Sequence, residues 1–289
     1  MNLLQFLIEP FSYEFMQRAL IVSLSCAIVC AVLSCWLVLI GWSLLGDAIS
    51  HSVLPGVVLA YIIGIPFSIG ALASALLAVS FIGSIKQRTR IKEDASMGIV
   101  FTTFFAAGLV LISITPADKD LNHIIFGNVL GVDATLMWQI LVLAVLILTV
   151  LLVKRRDFTL YAFAPVHART IGINPRFLYG LLLLLVALTS VIALQVVGVV
   201  LVVAMLITPG ASAYLLTKKF SRMLLIAPAL GCSATILGTY ISYYQDTATG
   251  PTIVVSQGVL FLGCYLWSLK LANPNRLHRS RPQHDGIGV

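Results

Sequence analysis

Asp47 and His51 are an acid and an imidazole that stand four residues apart in a strongly apolar part of the chain. Residues at that spacing share one face of an α-helix, and Ser43 and Ser50 join the same stripe. A carboxylate oxygen beside an imidazole nitrogen suits manganese, iron or zinc, whereas calcium and magnesium prefer sites made of oxygen alone. Two ligands are too few for such an ion, so the pattern predicts a metal site that other parts of the fold complete.

Pro55 follows His51 by four residues, which removes the backbone donor for the His51 carbonyl and predicts a kink. Broken helices with free backbone acceptors are a device of ion sites in membrane transporters. Asp246 is the best further candidate ligand, and its alternative role is that of an ordinary helix cap. Asp47 and His51 also have an alternative role, as a structural pair whose members satisfy only each other.

Two other groups of residues could bind a metal, and each also has a simpler structural explanation. Asp118, Asp120 and His123 stand in a long polar segment, residues 115–134, which is either a solvated loop or a vestibule that attracts cations. Cys26 and Cys30 share a helix face, and for them we favour packing between helices over the binding of a soft metal.

The elements that must position these residues are membrane spans. The 289 residues are 60% hydrophobic and 10% charged, and the mean hydropathy is +1.03. So much apolar surface cannot be buried in one water-soluble core, whereas stretches of about 20 apolar residues cross a bilayer as helices. We therefore predict an all-α, polytopic membrane bundle of eight to nine transmembrane helices. The nine predicted spans are 19–40, 47–64, 67–85, 96–114, 135–153, 177–195, 197–217, 223–244 and 251–269.

Two boundaries in this series are open. The first two spans could be one broken unit, and nothing charged separates the sixth span from the seventh. One transmembrane domain, residues 1–274, is expected, followed by a short basic tail, residues 275–289.

Basic residues predict the orientation of the bundle. All but two of the 18 Lys and Arg residues fall into four clusters, which the nine-span arrangement puts on one side. Because cytoplasmic loops carry the excess of Lys and Arg, that side is predicted to be the cytoplasm, with the N-terminus outside and the C-terminus inside. The net charge of +7 then reflects membrane topology, and no nucleic-acid partner is expected. The clusters begin at Lys86, Lys154, Lys218 and Lys270.

A cytoplasmic segment, residues 157–176, alternates apolar residues with His167, Arg169 and Arg176. This pattern is typical of an amphipathic helix. Such a helix either lies on the lipid headgroups or docks a cytosolic partner.

Several stretches together resemble one family, the permeases of bacterial ATP-binding-cassette importers for manganese, zinc or iron. The strongest is GWSLLGDAISHSVLPG, residues 41–56, which contains Asp47 and His51. Three more agree in order and spacing, and the resemblance covers roughly residues 10–270. They are KEDA at 92–95 with Gly98, HARTIG at 167–172, and ITPGA at 207–211 with DTATG at 246–250.

The resemblance implies a multi-pass protein of the bacterial cytoplasmic membrane that is itself no enzyme. Two permease copies, identical or paralogous, would form the channel, two cytosolic ATPase subunits would drive it, and an extracytoplasmic binding protein would deliver the metal. Manganese, iron or zinc would be the transported substrate, with no permanently bound cofactor. The segment with Ala168, Arg169 and Gly172 resembles the coupling segment that contacts the ATPase. The sequence has no Gly-x-x-x-x-Gly-Lys-Ser/Thr phosphate loop, which fits an ATPase on another chain.

Three rival functions remain to be weighed at this point. A self-sufficient secondary transporter would couple metal to protons through the same pair, but the Asp47–His51 element has no internal repeat. An intramembrane metalloenzyme would need a cluster such as His-Glu-x-x-His, which is absent from the sequence. A permease for a larger chelate or vitamin would need a wide aromatic cavity, whereas the stripe around His51 is compact and polar.

Overall fold

The computed structural model describes residues 12–42, 44–115 and 131–271. Within these ranges the chain forms eleven α-helices and no strand, as the all-α prediction requires. The helices are α1 Glu14–Ile40, α2 Leu45–Ser52, α3 Leu54–Ile63, α4 Phe67–Arg88, α5 Glu93–Ile114, α6 Ala134–Val153, α7 Arg155–Phe163, α8 Pro165–Thr170, α9 Pro175–Leu216, α10 Phe220–Gln245 and α11 Thr249–Leu271.

Eight helical stretches in the described ranges are long and apolar enough to cross a membrane. One of them, Leu45–Ile63, is made by α2 and α3 together, so the second predicted span is a broken helix. It is separate from the first span, because α1 ends at Gly41, whose φ of 89° is left-handed. The predicted polytopic bundle is confirmed, with the seventh span present as a shorter apolar helix, Leu201–Leu216.

Gly198 supplies the boundary between the sixth and seventh spans. Its φ of 76° and ψ of 170° interrupt α9 in a region that essentially only glycine adopts. The rings of Tyr179 and Trp42 lie 5.2 Å apart near the start of α9, and those of Phe220 and Trp36 lie 5.3 Å apart just beyond its end. Trp36 and Trp42 are close along the chain, so both ends of α9 lie at one end of the bundle. The two parts of α9 are therefore antiparallel, and a backbone turn replaces the charged loop that usually marks such a reversal.

The centre of the bundle is α1, packed against both parts of α9. Cys26, Cys30 and Cys35 are all buried there, in agreement with a packing role. Small residues let the helices approach closely: a Cβ on Gly210 would lie 2.6 Å from the Ser34 hydroxyl oxygen. In contrast, α5, α6 and α11 bury the smallest share of their residues among the eight spans of the single chain, as lipid-facing or partner-facing helices do.

Basic residues from three of the four clusters lie at one end of this bundle. Lys86 lies against Tyr179, and Arg155 and Lys219 adjoin the aromatic contacts of Trp36. The grouping of these clusters agrees with the predicted topology. Which side of the membrane that end faces stays a prediction, and the proposed tail, residues 275–289, lies outside the described residues.

Candidate metal centre

Asp47 and His51 meet on one face of α2. Asp47 stands in its first turn and His51 in its last, and Asp47 Oδ1 lies 3.3 Å from His51 Nε2. The two side chains keep 36% and 28% of their surface exposed within the single chain. A pair that served only to satisfy itself inside a core would be buried. This pair instead keeps part of each side chain exposed within the single chain.

Helix α2 ends one residue after His51. The helix is interrupted at Val53, two residues before Pro55, which is the second residue of α3. Ser50 and Ser52 turn their hydroxyls back to the carbonyls of Gly46 and Ala48, a contact that bends helices. The helix is therefore interrupted where Pro55 predicts it, and Val53 at the interruption keeps right-handed helical dihedrals, φ −69° and ψ −28°.

A hydrogen bond from the next helix fixes the break. The Ser74 hydroxyl of α4 donates to the Ser52 carbonyl at 2.6 Å, so a carbonyl at the interruption has a side-chain partner. Ser43, the other serine of the stripe, lies outside the described residues.

Two aromatic rings of α5 enclose the imidazole. The ring centroids of Phe101 and Phe105 each lie 5.1 Å from that of His51 in edge-to-face geometry. The two residues follow Asp94, the start of this span, by seven and eleven positions, which is roughly 10–17 Å along a helix. The pair therefore contacts α5 near the middle of this 21-residue span.

These phenylalanines were missed in the sequence analysis. Their only sequence signal is their i, i+4 spacing on one helix face, which equally describes a lipid-facing or packing stripe.

Asp246 ends α10 in a left-handed conformation, with φ 51° and ψ 44°. Its exposed side chain stands where the backbone N–H groups of Asp246 and Thr247 both bond the carbonyl of Ser242. This is the geometry of a helix end, the alternative role considered for Asp246. In the described part of the chain no three His, Cys, Asp or Glu side chains come together to hold a metal, so Asp246 does not join the pair within one subunit. Its part in transport stays a prediction.

The remaining candidate ligands, Asp118, Asp120 and His123, lie outside the described residues.

The predicted amphipathic segment, residues 157–176, is two short helices, α7 and α8, followed by the start of α9. The helix breaks at Ala164 because the next residue is Pro165, which disfavours helical geometry in the residue before it. Phe158 and Ala168 are fully buried, whereas Val166 and Ile171 expose 78% and 55% of their surface. The segment therefore holds to the bundle on one side and presents uncovered apolar surface on the other.

Gly172 ends α8 in a standard helix stop, the Schellman motif. Its φ is 86°, and the N–H groups of Gly172 and Ile173 bond the carbonyls of Arg169 and Ala168 at 3.2 and 3.1 Å. The three predicted coupling residues thus belong to one turn. Ala168 is buried against the bundle, Arg169 is exposed, and Gly172 ends the helix that carries both.

Comparison with known proteins gives one consistent result. A chelated iron transport system membrane protein of Yersinia pestis is 51% identical over 269 residues, 93% of this chain and 91% of that protein. A manganese transport system membrane protein of Synechocystis is 50% identical over 256 residues, 89% of this chain and 84% of that protein. The solved structure of PsaBC from Streptococcus pneumoniae in complex with Fab has a chain that is 37% identical and superposes with a TM-score of 0.83 over 93% of this chain and 99% of that one. The family model of the ABC 3 transport family matches residues 12–268, and the chain belongs to that family.

Proposed function

We propose that this chain is the membrane-spanning permease of an ATP-driven importer, and that a divalent transition metal passes Asp47 and His51. The observation that carries the proposal is the contact between Asp47 Oδ1 and His51 Nε2 within a membrane-spanning stretch, with both side chains partly exposed. Ionisable groups inside a membrane are costly and usually mark a substrate path. The names of the two curated relatives, one for manganese and one for chelated iron, support a metal substrate.

Mixed oxygen and nitrogen ligands favour manganese, iron or zinc over calcium and magnesium. The pair supplies two ligands, and the described residues of one subunit supply no third protein ligand beside them. Water or a second permease copy would complete the site. A second copy fits best, because α5, which encloses His51, leaves much of its apolar surface uncovered in the single chain.

ATP hydrolysis is assigned to a separate cytosolic partner, which the family membership supports. The surface for that partner is the exposed side of α7 and α8, with Val166, Arg169 and Ile171. An extracytoplasmic binding protein would deliver the metal on the opposite side. In this proposal the N-terminus lies outside and the C-terminus inside the bacterial cytoplasmic membrane. Transport then proceeds by alternating access, with the pair open first to one side and then to the other.

The test is metal uptake into proteoliposomes that contain the permease, its ATPase and its binding protein. With manganese, ferrous iron and zinc offered separately, we expect ATP-dependent uptake of at least one metal. His51→Ala and Asp47→Ala should abolish uptake while the complex still assembles. Ser80→Ala is the control, because Ser80 is exposed on α4 and its hydroxyl bonds back to the Leu76 carbonyl, away from the pair.

Two results would reject the proposal. Normal uptake by both Asp47→Ala and His51→Ala would remove the site assignment. Uptake driven by a proton gradient without the ATPase would instead establish the alternative function, a secondary transporter.

A further inference from the structure

Lys86 places its ammonium group against two aromatic rings at the basic end of the bundle. Its Nζ lies 4.4 Å from the ring centroid of Tyr179 and 5.4 Å from that of Trp42. The two rings meet edge to face, with centroids 5.2 Å apart. These distances are those of a cation–π contact. We call this group of three residues the Lys86 cage.

The cage is a packed unit of the protein interior. Trp42 and Tyr179 expose only 2% and 6% of their surface. The buried Nε1 of Trp42 has no hydrogen-bond partner among the described residues, so ring and cation contacts hold the indole in position. Cation–π attraction grows when water is excluded, which makes the cage a strong connection between its three helical segments.

Tyr179 connects the cage to α7 and α8, which together we call the docking segment. Tyr179 lies in the second turn of α9, which starts directly after the Gly172 turn. The Asn174 side chain caps that start, accepting from the N–H groups of Arg176 and Phe177 at 3.0 and 3.4 Å. Hydrogen bonds thus fix both the end of α8 and the start of α9, the helix that carries Tyr179.

The other side of the cage leads to the metal pair. Trp42 stands three residues before α2; its N–H bonds the Leu37 carbonyl at 2.8 Å, and its carbonyl accepts from Leu45 N at 3.3 Å. Leu45 is the first residue of α2, and Asp47 lies in the same turn. A displacement of Trp42 therefore moves the start of the helix that carries Asp47 and His51.

Lys86 adds the third connection. It stands in the last turn of α4, whose Ser74 holds the interruption between α2 and α3. The cage thus meets α2 at its beginning through Trp42, while α4 meets it at its end.

We propose that Lys86, Trp42 and Tyr179 are positioning residues that transmit movement of the docking segment to the Asp47–His51 helix. The proposal rests on the proposed function, since it concerns how an ATPase on α7 and α8 reaches the metal pair. The proposal predicts that loss of the cage uncouples transport from ATP hydrolysis: the ATPase still hydrolyses ATP, but less metal is transported for each ATP consumed.

The test measures ATP hydrolysis and metal uptake in the same proteoliposomes, with permease, ATPase and binding protein all present. Lys86→Met keeps the length of the side chain and removes its charge. We expect hydrolysis to persist and the ATP consumed per metal ion to rise about fivefold, the size expected for the loss of one such contact. Lys86→Arg should restore the wild-type ratio, because a guanidinium also binds aromatic faces. Lys218→Met, an exposed basic residue at the same end, is the matched control.

The outcomes separate the inference from the function on which it rests. A wild-type ratio in Lys86→Met, or an equal fall of hydrolysis and uptake, overturns the inference. If Lys86→Met fails to assemble, Tyr179→Leu and Tyr179→Phe decide in the same way, since only phenylalanine retains a ring beneath the cation. Failure of the wild-type complex to take up metal with ATP would instead reject the proposed function.

Discussion

Gly56 and Gly70 pack backbone against backbone where α3 crosses α4. A Cβ on Gly56 would lie 2.1 Å from the carbonyl oxygen of Gly70, and a Cβ on Gly70 would lie 2.1 Å from the carbonyl oxygen of Gly56. Ser74, one turn further along α4, donates to the Ser52 carbonyl at the interruption before α3. This crossing therefore fixes where the broken span bends, and with it the position of His51.

Gly56→Ala should destabilise the protein by about 1–3 kcal/mol, because the new methyl group meets backbone that cannot rotate away. The measurement is the thermal unfolding midpoint of the purified permease in detergent. Gly263→Ala in α11 is the matched control, since no atom lies within 4 Å of its Cβ position. An unfolding midpoint equal to that of wild type in Gly56→Ala would contradict the close crossing.

Gly198→Ala should also destabilise the protein, but through backbone strain. At φ 76° and ψ 170° a non-glycine residue costs of order 1–3 kcal/mol. Gly180→Ala, a helical position of α9 with nothing within 4 Å, should leave stability the same or raise it slightly. Equal unfolding midpoints for the two variants would mean that the reversal of α9 does not depend on glycine at position 198.

The sequence predicts the spans well because a helix that crosses a membrane needs a long run of apolar residues. The contact between Asp47 and His51 was also predictable, since a spacing of four residues on a helix is a local property. No charged loop marks the reversal at Gly198, although the sequence predicts a boundary between spans 177–195 and 197–217. The Gly198 dihedrals give its place, and the contacts at the two ends of α9 show that the chain reverses there.

Contacts between side chains of different helices could not be predicted from the sequence, and the reason is physical. Phe105 meets His51, and Tyr179 meets Lys86, across helices that are distant in the chain. Nothing in a single apolar helix tells which of its faces a particular neighbour will cover. The break at Ala164 was in principle readable from Pro165, although the apolar pattern of the segment favoured one continuous helix.

Phe105→Leu should weaken metal transport with little effect on stability. The ring orients the imidazole through an edge-to-face contact, and such contacts contribute about 0.5–1.5 kcal/mol, or roughly two- to tenfold in affinity. We expect the metal concentration for half-maximal uptake to rise by that factor. Phe81→Leu serves as control, because Phe81 is half exposed on α4 and its ring contacts that of Phe104. A half-maximal concentration equal in both variants would argue against an orienting role.

Substitutions at Gly172 should impair docking of the ATPase in an order set by the backbone. No atom lies within 4 Å of its Cβ position, so size matters less than the left-handed φ of 86°. Asparagine tolerates that conformation better than alanine, and a β-branched valine tolerates it least. Co-purification of the ATPase should therefore fall from Gly172→Asn to Gly172→Ala to Gly172→Val. Unchanged co-purification with Gly172→Val would count against docking at this segment.

Thr159 anchors the docking segment to the centre of the bundle. Its hydroxyl donates to the Arg155 carbonyl at 2.6 Å and accepts from Trp36 Nε1 at 3.3 Å. Trp36 is fully buried, and its ring also packs against Phe158 and Phe220, with centroids 6.0 and 5.3 Å away. The hydrogen bond of the indole N–H thus ties α7 to α1 beside these aromatic contacts.

Thr159→Val should destabilise the permease by about 1–3 kcal/mol, because valine has the shape of threonine but leaves the buried indole N–H without an acceptor. Thr149→Val is the matched control: its hydroxyl makes the same bond one turn back, to Val145, on an exposed face. Thr159→Ser should retain most of the stability, since its hydroxyl can still accept. If Thr159→Val and Thr149→Val unfold at the same temperature, the Trp36 hydrogen bond does not hold α7. If only Thr159→Val is less stable and also loses the ATPase, α7 must be held to α1 before the partner can dock.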